Sequence, residues 1–150
     1  MSNRSQEQDL IDLFVESLQS QVSKDIEIKI IHNKKCRARN FADIEFISKT
    51  GILWLIEAKS NESSDAPNTV HKIFGELLKE TGRENRSDFK IALLIPEGSK
   101  EYYSKAFQAI KKEKFIKFGE LIPVEIVFTF GASGVDTISW EALYDYYVGQ

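Results

Sequence analysis

Residues 42–48 (ADIEFIS) and 52–58 (ILWLIEA) are two β-rich runs separated only by Lys49, Thr50 and Gly51. A three-residue connection ending in glycine, where a left-handed backbone is wanted, closes a hairpin. If Ser48 pairs with Ile52 across the turn, every cross-strand pair sums to 100 and Asp43 falls opposite Glu57. Side chains alternate faces along a strand, so Glu57 and Lys59 leave one face while Trp54, Ile56 and Ala58 leave the other. Two carboxylates and a lysine are thereby brought to one patch.

Opposed like charges weaken a hairpin by up to about 1 kcal/mol, and the apolar neighbours Ile47, Leu53 and Leu55 raise that cost by excluding water. The residues leave two readings open. Asp43 and Lys59 form a cross-strand ion pair with Glu57 solvated at an edge, or the acids hold a divalent cation. Mg²⁺ takes one or two carboxylates, waters and substrate phosphate oxygens, so Asp43 and Glu57, with the Ala58 backbone carbonyl as a further ligand, suit it; Mn²⁺ is expected to substitute. Lys59 would then orient or help deprotonate an attacking water, or steady charge developing on a phosphate.

The rest of the chain reads as alternating elements. Leu10, Ile11, Phe14 and Leu18 mark an amphipathic helix over about 6 to 21, and Ile26, Ile28 and Ile30 alternate as a strand, followed by a basic, polar connection from His32 to Asn40. After the hairpin, a polar stretch through Ala66-Pro67-Asn68 leads into a helix carrying Val70, Ile73, Phe74, Leu77 and Leu78 that stops near Gly82. Lys90 to Ile95 (KIALLI) lacks alternation and should be a strand buried on both faces. Tyr103, Ala106, Phe107 and Ile110 give a helix, Val124 to Phe130 a strand, and Trp140, Leu143, Tyr144 and Tyr147 a last helix. The expected fold class is α/β in the order α-β-β-β-α-β-α-β-α, a mixed central sheet flanked by helices, in a single domain over residues 1–150.

The string Ala42-Asp43, thirteen residues, then Glu57-Ala58-Lys59 resembles the signature of the PD-(D/E)xK nuclease superfamily, in which an acid ends one strand of a hairpin and an acid-x-lysine triplet ends the next. Alanine stands here in place of the name-giving proline. The resemblance extends over residues 6 to 95, and the size is similar to that of small junction-resolving members. It implies a restriction-endonuclease-like core and a Mg²⁺-dependent nuclease that hydrolyses phosphodiesters, DNA being the favoured substrate. It also implies catalytic roles for Asp43, Glu57 and Lys59, and an acid on the first helix in the metal site. On a wheel advancing about 100° per residue, Glu7 falls in the middle of the Leu10 to Leu18 stripe, whereas Glu16 faces away, so Glu7 is the candidate; alternatively it is a first-turn acid favoured by the helix dipole. The alternative function is an inactive module on the same fold that binds nucleic acid or a partner protein.

A net charge of −3 excludes binding nucleic acid through overall charge, which places the weight on local clusters. Lys34, Lys35, Arg37 and Arg39 run into the hairpin, and His71 and Lys72 lie on the helix after it. These six are the candidate phosphate contacts. Lys111, Lys112, Lys114 and Lys117 interleave with Phe115 and Phe118, either a stacking surface or, more simply, core aromatics beneath a solvated face. The Trp140 to Tyr147 stripe is either core or a homodimer interface. With Cys36 alone, neither an intramolecular disulfide nor a Cys/His zinc site can form, and a cytoplasmic setting without membrane association is expected.

Overall fold

A computed structural model of the chain describes residues 6–22, 29–33, 42–48, 51–61, 65–82, 89–132 and 134–149. The hairpin forms in the register that its turn dictates. Strand β2 (Ile44–Ile47) pairs antiparallel with β3 (Leu53–Ala58), with Ile44 against Ile56 and Ile47 against Leu53. The Ser48 N–H donates to the Ile52 carbonyl at 2.9 Å and the Gly51 N–H to the Ser48 carbonyl at 2.8 Å. Gly51 sits at φ +85°, a conformation that a Cβ would strain.

Around this hairpin the elements run α1 (Gln6–Val22), β1 (Lys29–Asn33), β2, β3, α2 (Ala66–Glu80), β4 (Phe89–Pro96), α3 (Lys100–Gln108), α4 (Lys112–Leu121), β5 (Val124–Gly131), β6 (Gly134–Ser139) and α5 (Trp140–Val148). The six strands lie side by side in sequence order. Pairing is antiparallel from β1 to β3, parallel through β3, β4 and β5, and antiparallel again to β6. The mixed α/β sheet expected from the sequence is present.

Three details differ from the expected order. The described β1 extends into His32 and Asn33, residues assigned above to the connection, while 23–28 lie outside the described residues. A separate helix, α4, follows α3, because Phe115 and Phe118 turn inward at i and i+3 beneath their lysines. Strand β6 is an addition to that order: as an edge strand it is half-buried or exposed throughout, and pairing with β5 rather than a buried face defines it.

The sheet separates two apolar layers. Leu10, Ile11, Phe14, Val15 and Leu18 of α1 pack on Ile44, Phe46, Ile56, Ala58, Ala92 and Leu94. On the opposite face α2 to α5 pack Val70, Ile73, Leu77, Phe107, Phe115 and Trp140 on Ile91, Leu93, Ile95 and Val127. Strand β4 contributes to both layers, as its unbroken apolar run requires. Phe115 is enclosed by Phe107, Trp140 and Tyr144, so its ring is core and not a stacking surface. Trp140, Leu143, Tyr144 and Tyr147 are likewise buried within the chain's own core. Among the described residues, no helix is long and apolar enough to cross a membrane.

Candidate metal centre

The site forms where β3 ends and α2 lies across it. Beyond Ile56 the hairpin ladder stops, and the Asp43 side chain takes its place, Oδ2 accepting the Ala58 N–H at 2.9 Å. That bond fixes Asp43 beside Glu57, as the register predicts. Ala58 thus enters the site through its N–H. The Lys59 N–H donates to the Leu94 carbonyl at 2.9 Å, which continues the parallel ladder one residue past the strand and keeps Glu57 and Lys59 on a common face. The next residue is anchored from α3: the buried Tyr103 hydroxyl donates to the Ser60 carbonyl at 2.7 Å.

Helix α2 starts cleanly because Asp65 Oδ1 accepts the Asn68 N–H at 3.1 Å and Pro67 needs no donor in the first turn. Its buried stripe is Val70, Ile73, Leu77 and Glu80. Glu80 is thus a carboxylate in a core position, fully buried, and it hydrogen-bonds Glu57. Glu76, one turn earlier, reaches Lys59, with Nζ 2.9 Å from Oε1 and 2.8 Å from Oε2. Glu7, from α1 on the other face of the sheet, arrives at the same end, its Oε2 3.9 Å from Lys59 Nζ.

Asp43, Glu57 and Glu76 each present a carboxylate oxygen, all within 4.8 Å of one another, among the described residues. Glu57 is 2% exposed, and its Oε1 has no hydrogen-bond partner. Burial, then the hydrogen bond with Glu80, then the charges of Asp43, Glu80 and Glu76 push its carboxyl up to about 12. Burial and the neighbouring carboxylates thus favour the protonated form of Glu57. For Lys59 burial works against the charge, but the Glu76 hydrogen bond and the charges of Glu7, Glu76 and Asp43 outweigh it, holding the ammonium above its ordinary range. Lys59 is therefore a fixed cation at neutral pH.

The ion pair weighed between Asp43 and Lys59 does not carry the patch, since the Lys59 ammonium goes to Glu76 while Glu57 is buried rather than solvated. Asp43, Glu57, Lys59 and Glu7 are brought together. His71 and Lys72 are exposed on α2; Lys34, Lys35, Arg37 and Arg39 lie outside the described residues. Glu76 and Glu80 escape the sequence pattern because they alternate with Lys72, Lys79 and Arg83 and read as surface i,i+4 pairing. The wheel that selects Glu7 would also find Glu80, which is three residues after Leu77 and seven after Ile73.

The Tyr103 anchor has a measurable consequence. Tyr103→Phe keeps the stacking on Phe107, 5.5 Å between centroids, but leaves the buried Ser60 carbonyl without its donor. Urea denaturation should register a loss of about 1–3 kcal/mol; an unchanged midpoint would show that water replaces the hydroxyl.

A mixed α/β fold with a carboxylate and lysine cluster at the end of a central strand defines the class. Its architecture is similar to that of an fdxN element excision controlling factor protein from Anabaena variabilis, with a TM-score of 0.52 and 19% sequence identity over 81% of this chain and 92% of that one. The likeness is one of fold. No protein-family model and no curated protein matches the sequence.

Proposed function

We propose that the chain is a metal-dependent nuclease with a restriction-endonuclease-like core of the PD-(D/E)xK type, hydrolysing nucleic-acid phosphodiesters, DNA first among them. The observation that carries this reading is the grouping of the Asp43, Glu57 and Glu76 carboxylates beside the Lys59 ammonium, with Glu57 Oε1 buried and without a hydrogen-bond partner. A fold gains no stability from such a cluster, since each uncompensated buried carboxylate costs free energy. A divalent cation removes that cost, and the donor set fits one: hard oxygen ligands suited to Mg²⁺ or Mn²⁺.

In this reading Asp43, Glu57 and Glu76 hold the cation. When bound, it polarises a phosphoryl oxygen and lowers the pKa of a coordinated water. Lys59, cationic and nearly buried, stabilises the charge that develops on the phosphate as water adds, one P–O bond breaks and the leaving oxygen takes up a proton. This favours the electrostatic role for Lys59 over removal of the water's proton. Glu7 holds the ammonium in place from α1, and the exposed His71 and Lys72 of α2 are proposed as phosphate contacts.

A second reading, a non-catalytic module that binds nucleic acid or a partner protein, is suited by the name of the Anabaena protein as a controlling factor. It leaves the buried acid cluster without a use. The two separate on a panel of labelled duplex, branched and single-stranded DNA and RNA incubated with Mg²⁺ or Mn²⁺. Metal-dependent cutting that EDTA stops supports the nuclease; binding that ignores metal, with no product on any substrate, supports the module.

A further inference from the structure

One carboxylate in the cluster belongs to two groupings. Glu76 holds Lys59 Nζ through both of its oxygens, yet it is also the third member of the group formed with Asp43 and Glu57. Within that group Glu57 is buried and its Oε1 has no hydrogen-bond partner. Lys59, although in place, does not hydrogen-bond that oxygen.

Glu76 therefore has a choice of partner, and charge and distance decide it. A divalent ion at the roughly 2.1 Å of a metal–oxygen bond attracts a carboxylate about two to three times as strongly as an ammonium does at ion-pair distance in the same medium. Lys59 does not lose all support when Glu76 turns away, because Glu7 stands 3.9 Å from its ammonium.

We propose that Glu76 exchanges Lys59 for the bound cation, so that metal loading turns the Lys59 ammonium from an internal ion pair into a free contact for a nucleic-acid phosphate. The inference rests on the metal-site reading above. Its consequence is positive coupling: metal strengthens nucleic-acid binding through Lys59, and nucleic acid strengthens metal binding by the same factor. Without metal, the site keeps its phosphate-binding charge occupied.

The test is Mn²⁺ titration by calorimetry on the full chain, comparing wild type, Glu76→Gln, Lys59→Met and the double variant. Glu76→Gln should weaken Mn²⁺ binding by about 10- to 100-fold, the range typical of outer-shell partners, here taken as the floor for a ligand. Lys59→Met should tighten it about 3- to 10-fold, because the competitor for Glu76 is gone, and most of that gain should vanish in the Glu76→Gln background. Loss of packing alone would not raise affinity. Should Glu76→Gln fail to fold, Glu76→Asp, which draws the carboxylate back by one methylene, carries the same expectation. Equal Mn²⁺ affinity in wild type and Glu76→Gln, or a Lys59→Met gain as large in the Glu76→Gln background as in the wild type, would overturn the exchange while leaving the metal site standing. Absence of Mn²⁺ binding by wild type would overturn both.

Discussion

In the proposed nuclease, Asp43→Ala should reduce metal-dependent cleavage by at least about 10³-fold, with Lys59→Ala losing about 10²- to 10³-fold. The two losses have different causes. Asp43 contributes a carboxylate to the group with Glu57 and Glu76, and its Oδ2 also closes the ladder onto the Ala58 N–H. Its removal would take away a proposed ligand and let the end of β3 relax. In the proposed reaction Lys59 acts on developing charge in a site shielded from water, where removing a single donor typically costs about 2.7–4 kcal/mol of transition-state stabilisation. The signature to look for is therefore a split. Asp43→Ala should be partly rescued by raised Mn²⁺, because metal affinity is what it lost. Lys59→Ala should show a lowered kcat at saturating metal and no such rescue. Single-turnover cleavage over a series of Mn²⁺ concentrations reads both, and rescue of Lys59→Ala by metal would contradict the role given to Lys59.

The second large effect concerns stability, and its sign follows from Glu57. Its carboxyl is pushed up from 4.5 to about 12 in the folded, metal-free protein, so the folded state keeps a proton that the unfolded chain releases above about pH 4.5. Stability from this group is complete below that pH and is lost as pH rises towards 12. Between about pH 4.5 and 7 the loss is on the order of 3 kcal/mol, from about 1.4 kcal/mol per pH unit and one proton. Glu57→Gln carries its hydrogens permanently, and should remove this dependence and raise the thermal midpoint of the metal-free protein at pH 8. Thermal unfolding in EDTA from pH 6 to 9, wild type against Glu57→Gln, measures the difference. Parallel curves would mean that Glu57 is not protonated in the fold. Burial of side chains such as Ile73 and Leu77 on the same layer, worth about 1.5–3 kcal/mol each, offsets the cost in the wild type.

How much of this was legible in the sequence depended on what fixes each element. The hairpin register could be read because Gly51 and two short β runs leave one way to close the turn, and that register placed Asp43 beside Glu57. The α1 stripe could be read because apolar residues at helical spacing face one way, and Glu7 came with it. Strand β4 announced its double burial through KIALLI. By contrast, β6 is held by its neighbour more than by its own pattern, and α4 hides two inward phenylalanines among three lysines. Glu76 and Glu80 were obscured for a related reason: a glutamate every fourth residue between lysines has the same spelling on a solvated face as on a buried one. Tertiary packing of α2 on β3 separates these cases, and the local pattern does not contain it.

Whether the carboxylate cluster is a cation site is tested most directly by Mn²⁺ calorimetry at pH 7 in buffers of different ionisation enthalpy, wild type against Glu57→Gln. The wild type should bind Mn²⁺ at one site and release close to one proton per ion, the proton held at Glu57, while Glu57→Gln should neither bind comparably nor release it. Binding that is equal in both proteins, or absent from the wild type, would contradict the cation site.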